Sequence, residues 1–166
     1  MSTRGVIARA KGDGWEGVYH HWDSYPTGLG KRLWTALHQE FHGNVEAFLS
    51  YVVDTHRAGW SSFPDHSYTD TDMVITDRTV EPLFHEWVYV FSPRMLTVFG
   101  STVPEHNYEL DLFGSVHLDG EEPNWSHVEC GEHLERCQHE RYVHDRRAAR
   151  PDYAKGQDFS LQYHQV

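Results

Sequence analysis

The densest run of chemically useful side chains is Tyr19-His20-His21-Trp22-Asp23-Ser24-Tyr25-Pro26-Thr27-Gly28-Leu29-Gly30, followed directly by Lys31 and Arg32. Two glycines just before a helix leave backbone N–H groups free, and two cations beside them favour an anion. Trp22 and Tyr25 add faces on which a planar ligand stacks. The pattern predicts a concave site for an anionic or nucleotide-like ligand, built from His20, His21, Trp22, Asp23, Tyr25, Gly28, Gly30, Lys31 and Arg32. It is not a P-loop: Tyr25 stands where the first glycine belongs, and Arg32 replaces the Ser or Thr that holds magnesium. The same glycines also suit a tight strand-to-helix turn stiffened by Pro26, with no ligand. An alternative is a metal-dependent hydrolase using His20, His21 and Asp23. No His-Glu-x-x-His or Gly-x-Ser-x-Gly motif supports a named hydrolase class, so catalytic residues stay unassigned.

A second cluster runs from His127 to His139 and holds both cysteines of the chain. Thiolate and imidazole are good zinc ligands, and a closed structural site needs four. Cys130, Cys137, His139 and His144 supply that number, in the non-standard spacing Cys-x6-Cys-x-His-x4-His. A helix after Gly131 sets the two cysteines about two turns apart, so a zinc ion would require a break in it. The alternative is ordinary thiols with surface imidazoles. Two cysteines are too few for a disulfide scaffold, and a reduced, cytoplasmic pair is expected.

Met1-Ser2-Thr3-Arg4-Gly5 together with the 19–30 segment resembles small bacteriophage and actinobacterial proteins. These open on a Thr-Arg-Gly strand and carry a Trp-Asp-x-Tyr-Pro-x-Gly-x-Gly loop. The resemblance covers about the first 40 residues. It implies a mobile-element or host-interaction context and no particular chemistry. Arg4 paired with Asp23 would fix the loop.

The elements that must position these groups follow from periodicity. Gly5 to Ala8 and Trp15 to Trp22 read as a hairpin around the turn signal Asp13-Gly14. Leu29, Leu33, Leu37 and Phe41 mark one face of a helix ended by Gly43. Asn44 caps a second helix, from Val45 to Arg57, with Phe48, Leu49, Val52 and Val53 inward. Residues 58–79 read as a long polar loop or a pair of short turns, a length that is often functional. Asp70, Asp72 and Asp77 give that loop a solvated acidic character. Strands follow at Leu83 to Phe91, Met95 to Phe99 and Tyr108 to Leu118, and Trp125 to Cys130 is a possible further one. Apolar residues on both faces of Trp87 to Phe91 mark a central strand. The fold class expected is α+β, an antiparallel sheet with an αα-hairpin packed on one face. Residues 1–150 form the domain, helical at first beyond Gly131, and 151–166 a weakly ordered tail.

Composition limits the partners. With a formal net charge of −11, the chain is a poor general ligand for nucleic acid or anionic membranes. An acidic surface of this kind leaves a DNA-mimic interaction protein as a further alternative. The 14 histidines outnumber that deficit, so full protonation would reverse the sign of the charge. No apolar run reaches the roughly 18–20 residues a membrane span needs, and no signal-peptide h-region is expected at the N-terminus. The reading that follows is a small cytoplasmic binding or regulatory protein of phage or mobile-element type. Its partner is a host protein or a small anionic ligand.

Overall fold

The computed structural model describes residues 3–101 and 109–131. Strands β1 (Gly5–Lys11) and β2 (Gly14–His20) pair antiparallel through the two-residue turn Gly12-Asp13. Gly12 has φ +57°, the left-handed conformation such a turn requires. The chain then forms helix α1 (26–40), assembled from Pro26–Gly30, Lys31–Thr35 and Ala36–Glu40. Its two ends are wide turns, as in the bond from Phe41 N–H to the Ala36 carbonyl. Helix α2 (45–54) joins Val45–Leu49 to Ser50–Asp54, and Asn44 caps it by accepting from Ala47 N–H at 3.0 Å. The αα-hairpin expected from the Gly43-Asn44 joint is present.

Residues 58–79 are more ordered than their composition suggests. They contain β3 (Trp60–Ser62), β4 (His66–Ser67) and β5 (Val74–Thr76). Trp60 is buried, and its indole N–H donates to the Val52 carbonyl of α2 at 3.0 Å. Asp77 is a structural acceptor for Trp15 N–H at 3.2 Å, and Asp72 pairs with Arg57 at 3.0 Å. Strands β6 (Trp87–Phe91), β7 (Met95–Ser101) and β8 (Leu110–His117) complete the sheet. Its order is β4-β3-β2-β1-β6-β7-β8, with β5 also on β2.

The sheet is mixed, where an antiparallel one was expected: β1 runs parallel to β6, and β2 to β3. After the α1–α2 excursion the chain rejoins the sheet beside the end of β2, where Trp60 pairs with His20, and β3 runs on in the same direction. Side chains alternate with a period of two in either kind of ladder, so the sequence pattern does not distinguish them. The β6 alternation is as read. Trp87, Tyr89 and Phe91 face the helices, while Val88 and Val90 face the other side. On the helical side Leu29, Leu33, Leu37, Phe48 and Val52 are fully buried. The opposite side is a smaller layer around Val6, Ala8, Trp15, Val88, Phe99 and Ile75.

Trp125–Cys130 is a helix, α3, and not a strand. Asn124 Oδ1 accepts from Ser126 and His127 N–H groups, and Gly131 at φ +80° ends the helix. Trp125 and Val128, three residues apart, are its buried face. Among the described residues no helix is long and apolar enough to cross a membrane.

Candidate functional site

The 20–32 loop is closed by its own protein partners. His20 is fully buried at the end of β2. Its Nε2 accepts from Phe63 N–H at 3.0 Å, which places the ring proton on Nδ1, 2.8 Å from the Ser24 hydroxyl. Burial, then the nearby Arg32 charge, then His21, push its pKa down to about 3. Both ring nitrogens are spent on the protein, so His20 has no lone pair for a metal. The backbone around it is stitched to neighbours: Ser24 N–H donates to the Thr3 carbonyl, and His21 and Trp22 N–H groups to Trp60 and Ser61 carbonyls. Tyr89, buried so that its phenol is pushed well above its ordinary value, donates to the Ser24 carbonyl at 2.5 Å.

The predicted anion position is filled from within. The Glu129 carboxylate of α3 accepts from Thr27 N–H at 3.2 Å and from the Thr27 hydroxyl at 2.9 Å. A helix N-terminus favours such a negative group. Arg32 donates to the Trp22 and Asp23 carbonyls at 3.4 and 3.3 Å, and Lys31 pairs with Glu122 at 3.5 Å. A Cβ on Gly28 would lie 2.7 Å from the Asp23 carbonyl, and one on Gly30 2.9 Å from the Trp125 ring. The glycines therefore serve close packing. Tyr25 lies half-buried against Gly28, and Trp22 is exposed, edge-on to His21 at 4.6 Å between centroids. Arg4 does not pair with Asp23: its guanidinium sits 4.3 Å from the centre of the Phe84 ring. Thr27 and Lys31 are met by Glu129 and Glu122 of other segments, and Arg32 braces the loop's own carbonyls, leaving its Nε buried without a partner. Glu129→Ala is expected to cost about 1 kcal/mol in urea denaturation, the usual scale for losing a helix cap.

Cys130 is disulfide-bonded, so the reduced thiol expected there is not present. Cys137, His139 and His144 lie outside the described residues. No group of three or more His, Cys, Asp or Glu side chains is arranged to hold a metal among the described residues.

An open cleft lies on the sheet face that the helices leave uncovered. Its volume is about 750 Å³, and its walls include Tyr19, Tyr68, Met73, Ile75, Phe84 and His85. Tyr19 is the β2 residue that alternation places opposite the helices. Its ring is near-parallel to those of Tyr68 and Phe84, at 6.2 and 5.8 Å between centroids. Its hydroxyl shares a 2.6 Å hydrogen bond with His21 Nδ1. Burial and then Tyr68 raise the Tyr19 phenol above its ordinary value, against the opposing Arg4 charge. The His85 ring meets Tyr19 edge-on at 6.1 Å. Residues 81–85 form a turn closed by Phe84 and His85 N–H groups on the Glu81 carbonyl. Met73, Leu83 and Phe84 stand exposed nearby.

Of the loop residues singled out by sequence, only His21 reaches this cleft. Tyr68, Glu81, Phe84 and His85 were missed. The one available signal was the unusual length of the 58–79 segment. Phe84 and His85 were read as strand because they adjoin the apolar run of β6. The chain matches no protein-family model, no curated protein and no solved structure.

Proposed function

We propose that this chain is a ligand-binding protein whose site is the aromatic cleft between β2 and residues 68–85, and not the 20–32 loop. One observation carries the reading: the Tyr19 ring, near-parallel to those of Tyr68 and Phe84, and a buried imidazole line a cavity of about 750 Å³. A concave, mostly apolar cleft with a few polar groups is the usual form of a small-molecule site. Fold stability does not need these rings to be accessible, because the helical layer already holds the larger core. The binding or regulatory class favoured by the sequence is retained, together with the mobile-element context implied by the resemblance, and the site moves. The hydrolase alternative is not favoured, because His20 is committed to Phe63 and Ser24.

Aromatic fragments titrated into isotopically labelled protein should shift the backbone resonances of residues 19–21 and 68–85. Phe84→Ala removes an exposed ring and should weaken the tightest fragment by at least about fivefold, or 1 kcal/mol, without unfolding the chain. Shifts confined to residues 20–32, or no binding by any aromatic fragment, would overturn the assignment.

A further inference from the structure

We infer that the cleft selects an amino-substituted heteroaromatic ring without a phosphate, in the manner of a free base or nucleoside. The inference rests on the cleft being a ligand site, as proposed above. His85 is only 8% exposed and lines the cavity. Its Nδ1 accepts from Glu81 N–H at 3.0 Å, so the ring proton resides on Nε2. That N–H has no hydrogen-bond partner among the described residues, and it offers a ligand one donor in the cavity wall. A ring nitrogen or a carbonyl oxygen is its complement.

The remaining polar character is acceptor-rich. Glu81 and Asp70 stand at the exposed rim, and neither takes part in any of the four ion pairs of the described residues. Carboxylates accept only, so an exocyclic amino group suits them. No Lys or Arg lines the cavity. Arg4 sits over the Phe84 ring, and its charge acts on Tyr19 and His85. In a chain of net charge −11, the Glu81 and Asp70 carboxylates at this rim repel a phosphate. The rings of Tyr19, Tyr68 and Phe84 provide the stacking surface. The ring donor, the rim acceptors and the stacking faces together match an aminopurine or aminopyrimidine.

Calorimetric titration of the full chain at pH 7 tests this with adenosine, cytidine, purine riboside, adenosine 5′-monophosphate and benzyl alcohol as probes. Adenosine or cytidine should bind at least tenfold more tightly than purine riboside, which lacks the amino group. Adenosine should also outbind its monophosphate at least tenfold. Glu81→Gln alters only an exposed rim group, and it should reduce the preference for the amino group while leaving the melting temperature unchanged. His85→Ala should weaken adenosine and purine riboside alike and leave their ratio unchanged. If benzyl alcohol and purine riboside bind as tightly as adenosine, the selectivity is wrong while the cleft remains a ligand site. A tighter complex with the monophosphate would likewise overturn the inference alone. If none of the five probes binds, both readings fail.

Discussion

Phe48→Ala is expected to destabilise the protein by about 3–5 kcal/mol, the range for truncating a buried aromatic ring. Phe48 is fully buried on α2. Its ring lies 5.2 Å from Phe91 of β6, 5.6 Å from Phe41 at the C-cap of α1 and 6.3 Å from Phe63 beyond β3. One side chain thus joins both helices to the middle of the sheet and to its β3 side. Alanine leaves a void walled by rings, which are rigid and close onto it poorly. Small domains have a net stability of only about 5–15 kcal/mol, so this one change removes a large share of it. Equilibrium urea unfolding measures the loss. Met73→Ala is the control: Met73 is 59% exposed, and its truncation should change stability by less than about 0.5 kcal/mol. A cost for Phe48→Ala near that of the control would mean that α2 is not packed on the sheet.

The second large effect is acid sensitivity traceable to His20. Its pKa is about 3 in the folded chain and 6.5 when unperturbed. The unfolded chain therefore takes up a proton below pH 6.5 that the folded chain refuses until about pH 3. Stability from this group is complete above pH 6.5 and falls as the pH drops through that window. Between pH 7 and pH 4.5 the loss should be about 2.5 kcal/mol. The physical cause is burial, with the Arg32 and His21 charges adding to it, and both acceptor and donor are already used by Phe63 and Ser24. Glutamine at this position keeps a donor and an acceptor and cannot titrate. Denaturation of His20→Gln at the two pH values should show a loss smaller by roughly 2.5 kcal/mol than that of the parent chain. Equal losses in the two proteins would show that His20 does not carry the acid sensitivity.

The sequence by itself determined the local elements whose signal is local. Leu29, Leu33 and Leu37 specify a helical face because only a period near four brings them together. Gly43 and Asn44 end one helix and begin the next through backbone geometry and a side-chain cap. Trp87, Tyr89 and Phe91 declare one side of β6, and Val88 and Val90 the other, because a strand turns each side chain over. What only the tertiary structure decided is how these pieces meet. Parallel and antiparallel neighbours bury the same alternation, so the β1–β6 and β2–β3 pairings could not be read. Trp125 to Cys130 is too short for its period to separate helix from strand, and the cap at Asn124 settled it. The anion site at the start of α1 was chemically sound as a local pattern. The Thr27 N–H there is met by Glu129, 102 positions away, and Lys31 by Glu122, which no local window contains. The aromatic cleft likewise draws Tyr19 from one strand and Tyr68, Phe84 and His85 from a distant segment. A binding site depends on distances between side chains, and distances across a sheet are set by strand order, which hydrophobic spacing does not encode.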